Sequence, residues 1–488
     1  MNKIYSIFTI AIAALSLGSC NLLDVNNPSA IYGSGYWKTK GEVASYLTGT
    51  YTVFRSCCNS LEFFEARGDE FIGGLEGSGS NQWAQNLTAN NGISWADYYQ
   101  VIQHCNMILE NIDNVTYTLE SEKNDIKAQC YTMRAYMHFC LTRLWGDVPI
   151  QTVATVGSSK ELPERSSCEE VMTCILSDLD TALGLFSTDE WNNGKSRANK
   201  RGAYALKADV LLWKAKVLGG DEKDLEAVID CADLAAKGSS LEKNFADIYN
   251  TKNRNGKEVI WSIHFGYPEI DANYTHFLTL RDVFVEKAVN KDLVPYAKSG
   301  ARSSYFPSPQ IRRIFDAYQG DVRKTNAYID AVDASGSVLG VSQTKMVGTK
   351  TETNVIYDDD IVLYRHAEML LFKAEALAAL NRVPEAVVEL NKVRERAGIG
   401  AYTGSTDKVA FERELLDERA REFWLENKRW PDLLRFHYEG VIDVYDKVPN
   451  LKARKDADII VPLYFAVPLS ELSLNHKLVQ TEGYDEIL

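Results

Sequence analysis

The sequence has few of the residues that most often carry catalysis or bind metals. Only 7 of its 488 residues are histidine and 9 are cysteine. None of them stands at the spacing of a zinc site or in a Cys-x-x-Cys pair. A phosphate-binding loop, a Gly-x-Ser-x-Gly nucleophile turn and a His-Glu-x-x-His metal helix are also missing. These absences argue against nucleotide-dependent enzymes, serine hydrolases and zinc peptidases.

The chain also lacks an excess of positive charge and any apolar run long enough to cross a membrane. Its net charge is −14, which disfavours nucleic-acid binding, because a phosphate backbone requires basic patches. The longest apolar run, residues 7–17, is too short to span a bilayer. Lys3 precedes this run and Gly18 follows it, the pattern of an export signal. We therefore predict a signal peptide over residues 1–19 and a single domain over residues 20–488.

Residues 17–20, Leu-Gly-Ser-Cys, resemble the bacterial lipobox, in which the cysteine becomes acylated and N-terminal. More than one acyl chain on Cys20 would hold the protein stably on a membrane. The alternative is ordinary secretion, with Cys20 present by chance. The other cysteines do not form a disulfide framework, and the adjacent Cys57 and Cys58 are expected to be free thiols.

Apolar residues recur three and four positions apart through much of the chain, which predicts a mostly α-helical fold. Residues 125–146 are apolar on two faces, as expected for a helix packed between neighbours. Residues 364–398 predict two helices joined by a tight turn at 381–382, with Gly398 ending the second. This pair has the size of a tetratricopeptide unit. Strands are expected to be few and short, the clearest at 258–265.

Two long stretches, residues 67–92 and 265–309, lose helical periodicity and are predicted to be irregular. Loops of this length in a helical protein are usually functional or disordered. Their aromatic content argues against disorder. These two segments are therefore the expected location of a binding site.

Two charged clusters have both a functional and a structural interpretation. The aspartates at 358–360 could bind calcium, but we expect them to cap the helix that follows. Arg419, Glu422, Glu426 and Arg429 lie at helical spacing with opposite charges. They could form a binding site, but we expect an ion-pair stripe along one helix.

A set of segments, in order, resembles the motifs of the SusD/RagB family of Bacteroidetes outer-membrane lipoproteins. The resemblance covers nearly the whole mature chain. The segments are "WADYYQVIQHCNMILENID", "MRAYMHFCLTRLWGDVPI", "EVIWSIHF", "DVRK", "YRHAEMLLFKAEALAAL", "LNKVRERAG", "ERAREFWLENKRWPDLLRF" and "NHKLVQTEGY".

The resemblance implies a SusD-like α-helical fold with tetratricopeptide-like helix pairs, long irregular ligand-binding loops and minor strands. It implies a lipid-anchored protein on the cell surface, at the outer membrane, with a SusC-like TonB-dependent transporter as partner. The implied role is binding of an oligosaccharide or polysaccharide without catalysis, and no cofactor or metal is expected.

The resemblance also assigns candidate ligand-binding residues. The family often uses an Asp after the first helical segment and a Trp/Asn group in the next loop, which match Asp69, Trp83 and Asn86. Sugars present C–H faces and hydroxyl edges, so a site for them needs flat aromatic groups and short polar groups. On composition alone, the second irregular segment adds four tyrosines, for each of which core packing is the alternative: Tyr267, Tyr274, Tyr296 and Tyr305.

Other functions remain open at this point. A helical-repeat scaffold would bind only proteins and no glycan. A binder of peptides or other nutrients would keep the same architecture. A hydrolase would use a carboxylate pair, for which Asp69 and Glu70 are the candidates.

Overall fold

The computed structural model describes residues 36–77, 79–155, 162–191, 194–269, 272–352 and 354–484. The predicted signal peptide and Cys20 lie outside these residues. Within them the chain is mostly helical, as predicted. No helix in these ranges is both long and apolar enough to cross a bilayer.

The first helices, in chain order, are α1 (Lys40–Cys58), α2 (Ala96–Asn111), α3 (Glu120–Trp145), α4 (Cys168–Leu185), α5 (Lys200–Val217), α6 (Glu222–Ala236), α7 (Asp282–Val285) and α8 (Pro309–Asp316). The later helices are α9 (Val322–Thr325), α10 (His366–Ala379), α11 (Val383–Arg396), α12 (Lys408–Phe423), α13 (Arg429–Tyr438), α14 (Val444–Lys447), α15 (Pro449–Lys455) and α16 (Leu469–Leu474).

The strands are short and pair two by two. They are β1 (Phe71–Gly73), β2 (Val259–Ile263), β3 (Leu280–Arg281), β4 (Tyr296–Ala297), β5 (Tyr305–Pro307), β6 (Tyr328–Val332), β7 (Val338–Gln343), β8 (Thr349–Lys350), β9 (Val355–Ile356) and β10 (Ile361–Arg365). The pairs β1–β5, β2–β10, β6–β7 and β8–β9 are antiparallel, and β3–β4 is parallel.

The helices α1 to α6 form a stack in which each packs against the next. Helix α10 packs against α6 although residues 237–365 separate them in the chain. This long segment is thus inserted between two neighbouring helices of one stack. The main hydrophobic core is continuous from Trp37 to Leu478.

The helix pair predicted over 364–398 is confirmed as α10 and α11. Asn381 adopts a left-handed conformation, with φ of 61°, in the turn between them. Pro384 lies in the first turn of α11, and Gly398 follows the helix with φ of 78°. The turn residue, the proline and the glycine therefore set the ends of both helices.

The two-faced apolar helix is confirmed as α3, which packs between α2 and α4. Its last turns are buried on all sides and carry Trp145, which is fully buried. The cysteines of the described residues, including Cys57 and Cys58, are free thiols. The short strand predicted at 258–265 is confirmed as β2.

The charges at 419–429 do not form the ion-pair stripe that we expected. Helix α12 ends at Phe423, so Glu426 and Arg429 lie beyond it. These side chains are buried and pair with other parts of the chain. The pairs are Arg419 Nε with Asp432 Oδ2 at 2.8 Å, Glu422 Oε1 with Arg365 Nη1 at 2.6 Å, and Glu426 Oε1 with Lys345 Nζ at 2.6 Å.

Burial alone raises the pKa of a carboxyl group, but the neighbouring cations reverse this in the interior network. For Glu426, burial raises the pKa while Arg365 and Lys345 lower it, to about 2. For Glu418, burial again opposes Arg323 and Arg421, which lower the pKa to about 2. Both groups therefore stay ionised at neutral pH, and the network holds α12 to the inserted segment.

The prediction that the aspartates at 358–360 cap a helix is wrong. Helix α10 begins at His366, and its N-cap residue is Arg365. Asp358 and Asp360 instead bind the guanidinium of Arg254. Among the described residues, no group of three or more His, Cys, Asp or Glu side chains could hold a metal ion.

Candidate ligand-binding surface

The first irregular segment holds Trp83 in a single orientation. Its indole Nε1 donates a hydrogen bond to the backbone oxygen of Phe71 at 3.1 Å, and its backbone N–H donates to Ser80 Oγ at 3.1 Å. Gly79 has φ of 70° and lies against the ring, so that a Cβ there would overlap the indole. The side chain is half-buried. An aromatic group fixed in this way is preorganised for a ligand.

Tyr305 brings the second irregular segment to the same place. Strand β5, which carries it, pairs with β1 next to the Trp83 contact. The ring centroids of Tyr305 and Trp83 are 6.2 Å apart. The hydroxyl of Tyr305 donates to Glu62 Oε1 at 2.9 Å and accepts from the backbone N–H of Ser80 at 3.1 Å. The two segments singled out in the sequence therefore meet at Trp83.

Glu62 lies beneath this contact and joins the two segments. It accepts hydrogen bonds from the hydroxyls of both Ser80 and Tyr305. Burial raises the pKa of its carboxyl group, while the two hydrogen bonds lower it. Both donors are thus used to hold the loop, and Glu62 acts as a support for the aromatic pair.

A row of polar side chains runs beside Trp83. Asn86 is exposed, and its Nδ2 donates to Asn81 Oδ1 at 3.4 Å. Arg454 Nη2 donates to Asn86 Oδ1 at 3.2 Å, and Asn450 Nδ2 donates to the backbone oxygen of Trp83 at 2.6 Å. Amide and guanidinium groups in such a row bind hydroxyl pairs well, because they offer donors and acceptors in fixed directions.

We define the candidate surface by the indole of Trp83 and the polar row beside it. Its members are Trp83, Asn81, Asn86 and Arg454, whereas Tyr305 is only 2% exposed and supports the indole from the interior. Sequence reasoning found Trp83 and Asn86 and missed Asn81 and Arg454. Asn81 stood in a segment rich in Gly, Ser and Asn, and that composition was its only signal. Arg454 lies on α15, and nothing in the sequence connects it with Asn86.

Asp69, a predicted ligand-binding residue, lies in the interior instead of on this surface. Its Oδ1 and Oδ2 accept from Arg429 Nε at 2.6 Å and Nη2 at 2.9 Å, and Oδ2 also accepts from Gln310 Nε2 at 2.8 Å. Burial raises its pKa, but Arg429 and Lys447 together lower it, so the pKa lies below its ordinary value. Both carboxylate oxygens are occupied by an ion pair that joins the first segment to α13.

Glu70 is also buried. Burial and the neighbouring Glu65 raise the pKa of its carboxyl group well above the ordinary value. Asp69 and Glu70 were the candidate pair for a hydrolase. Neither reaches a surface on which a polysaccharide chain could lie, and so this pair has no access to such a substrate.

The other three predicted tyrosines do not join Trp83. Tyr274 is buried and donates its hydroxyl hydrogen to the backbone oxygen of Leu425 at 2.7 Å. Tyr296 is partly buried against a small cluster around Leu280. Tyr267 is 67% exposed, and a cis peptide bond joins it to Pro268. Core packing therefore accounts for Tyr274, and Tyr305 is likewise a core residue.

Comparison with known proteins agrees with this architecture. Residues 240–484, about half of the chain, match the SusD family. Residues 23–212 match a SusD-like family described as starch-binding and associating with the outer membrane. A SusD-like protein of Formosa agariphila is 26% identical over 528 aligned positions, covering 98% of each chain.

Solved structures show the same fold. A SusD superfamily protein from Bacteroides fragilis superposes with a TM-score of 0.79 at 24% identity, covering 92% of this chain and 100% of that one. A laminarin-binding SusD-like protein superposes with a TM-score of 0.75 at 20% identity, covering 92% and 100%. The overall fold of this chain is thus one that solved structures already show.

Proposed function

Because the chain belongs to the SusD family, we propose that it binds an oligosaccharide or polysaccharide at the outer membrane without altering it. The family associates with the outer membrane, and its members are known as binding proteins. The observation that carries the proposal for this chain is the fixed indole of Trp83 beside the row of Asn81, Asn86 and Arg454.

This arrangement suits a sugar for a physical reason. One face of a pyranose ring is lined by C–H groups. When these groups pack on an aromatic ring, they are removed from contact with water, which is favourable. The hydroxyls at the ring edge need partners once they are desolvated. The amides of Asn81 and Asn86 and the guanidinium of Arg454 would supply them from one side. A starch-type or laminarin-type glucan offers both surfaces. Starch appears in the description of one matching family, and laminarin in the name of one similar solved structure.

A hydrolytic role has less support. Glycosidases require two carboxyl groups that face the scissile bond. Glu62 is held by Ser80 and Tyr305 beneath the aromatic pair, and the Asp69–Glu70 pair is buried. A scaffold that binds only proteins would not need an aromatic ring fixed next to a row of amides.

We also propose that the bound glycan passes to a SusC-like TonB-dependent transporter in the same membrane. A binding protein held at the outer membrane gains from delivery to a transporter, since an intact glycan is too large to diffuse through a bilayer. The outer-membrane association of the family supports this partner. Co-purification of the native protein with a transporter of that type is the direct measurement.

A glycan array probed with residues 21–488 tests the function. We expect binding to at least one soluble polysaccharide, with no reducing ends released after long incubation. Binding to peptides alone would favour a different nutrient class. Release of products would favour a hydrolase, and an array on which no glycan binds would overturn the proposal.

Cys20 provides a separate test of the anchor. In cells that lack the partner transporter, we expect the Cys20→Ala full chain to leave the membrane fraction, because the acyl chains on Cys20 are the proposed anchor. Fractionation of cells and mass spectrometry of the N-terminus measure this. A Cys57→Ala chain is the matched control and should remain in the membrane fraction. The purified Cys20→Ala protein should still bind glycan, and its retention on membranes would contradict the anchor.

A further inference from the structure

A second opening in the molecule has a different chemistry from the Trp83 surface. It is a cavity of about 150 Å³ between α1, the turn before α5 and the end of β2. Its walls include Tyr51, Arg55, Arg197, His264 and Glu269. None of these residues belongs to the surface around Trp83.

Two arginines give the cavity a positive wall. Arg55 is mostly buried; its Nη1 donates to the backbone oxygen of His264 at 3.2 Å, and its Nη2 donates to Glu269 Oε1 at 2.7 Å. The guanidinium of Arg197 lies 4.2 Å from the ring centroid of Tyr51 and donates to Thr48 Oγ1 at 3.5 Å. Hydrogen bonds and stacking thus hold both guanidiniums in place.

Glu269 is the one acidic side chain among the residues that line this described cavity. It is 62% exposed, whereas the Arg55 side chain that it binds is only 10% exposed. His264, also on the wall, binds Asp360 Oδ1 at 3.0 Å, and Asp360 in turn binds Arg254. Two arginines therefore face a single carboxylate on this wall, and that carboxylate is largely exposed to solvent.

We propose that this cavity binds the carboxylate of an acidic sugar residue, with the carboxylate of Glu269 occupying the same place when no ligand is present. Arg55 would exchange Glu269 for the ligand at little net cost, since one charged hydrogen bond replaces another. Among the described residues Arg197 forms no ion pair, and its charge, which already acts on Glu269, would supply the added attraction.

The hydrogen bond from Arg55 is the main cause that lowers the pKa of Glu269 below its ordinary value. Glu269 is therefore ionised at neutral pH and competes with an incoming carboxylate. A neutral side chain at 269 removes that competition but keeps the shape of the wall. We therefore expect that replacing Arg197 weakens binding of the acidic sugar, whereas replacing Glu269 strengthens it.

Calorimetry with trigalacturonate, its methyl-esterified form and a sulfated disaccharide tests this site on residues 21–488. We expect trigalacturonate to bind at least about tenfold more tightly than the ester, because hydrogen bonds to charged groups are stronger than neutral ones. Arg197→Gln should weaken trigalacturonate binding by about tenfold, and Glu269→Gln should strengthen it. Added salt should also weaken the binding of trigalacturonate to the wild-type protein.

Arg382→Gln is the matched control, since Arg382 also binds a glutamate but lies at the turn before α11. It should leave binding of trigalacturonate unchanged. Any of four results would overturn the assignment. These are equal binding of the acid and the ester, weaker binding by the Glu269→Gln protein, preference for the sulfated sugar, and no binding of any probe. The Trp83→Ala protein should bind trigalacturonate as the wild type does. A failure of this cavity proposal can therefore be distinguished from a failure of the proposal for the Trp83 surface.

Discussion

Replacing Trp83 with alanine is expected to weaken binding of the glycan by about 30-fold or more, since truncating an aromatic anchor typically costs about 2 kcal/mol or more. The indole is fixed by its hydrogen bond to the backbone oxygen of Phe71 and by contact with Tyr305 and Gly79, and the backbone N–H of Trp83 is bound to Ser80. A ligand therefore meets a ring that needs no further ordering. Alanine removes this ring but leaves the row of Asn81, Asn86 and Arg454.

Isothermal titration with a glycan that binds the wild-type protein measures this effect. Tyr438→Ala is the control, because Tyr438 is a 44% exposed aromatic residue at the end of α13, away from the candidate surface. Trp83→Phe should retain part of the affinity. Thermal unfolding of the Trp83→Ala protein should remain near that of the wild type, because the indole is only half-buried. Unchanged affinity would remove Trp83 from the site.

The second large effect is expected at Asp69, where we predict loss of stability with little change in glycan affinity. Asp69→Asn should lower the free energy of unfolding by about 3–5 kcal/mol, since breaking a buried ion pair leaves an unpaired charge. The charge left behind is Arg429, whose Nη1 would still donate to the backbone oxygen of Leu416 at 3.0 Å. Urea unfolding monitored by circular dichroism measures the change.

Asp330→Asn is the matched control for this experiment. Asp330 also binds an arginine through both oxygens, Arg312 Nη1 at 3.0 Å and Nη2 at 2.7 Å, but this pair is about 30% exposed. Its loss should cost at most about 1 kcal/mol. An Asp69→Leu, Arg429→Met double variant should recover stability relative to Asp69→Asn. Lost glycan affinity in a fully stable Asp69→Asn protein would instead restore Asp69 as a ligand-binding residue.

The helices were predictable because their signals are local. The pair α10–α11 shows this, since the turn at Asn381, the proline at 384 and Gly398 each act on their own neighbours in the chain. The apolar residues on two faces of α3 likewise predicted its place between two helices. The same periodicity could not show that α10 packs on α6, across an insertion of more than a hundred residues.

The charged residues were the least predictable part. Spacing predicts an ion-pair stripe of Arg419, Glu422, Glu426 and Arg429 along one helix, yet their partners lie on β10, on α13 and beside β1. Helical spacing describes only which residues are neighbours along one helix. It carries no information on which distant charge meets each of them in the interior.

The sequence by itself determined the helical class, the hairpin at 364–398 and the two irregular segments, and it singled out Trp83 as a candidate ligand-binding residue. These features can be predicted because helical periodicity, turn residues and the polarity of neighbouring residues are local, and each depends on only a few positions in the chain. Only the tertiary structure decided that Tyr305 meets Trp83, that Arg454 reaches Asn86 and that Asp69 is an interior ion partner. Each of these contacts joins residues that lie hundreds of positions apart, and long-range packing alone brings them together.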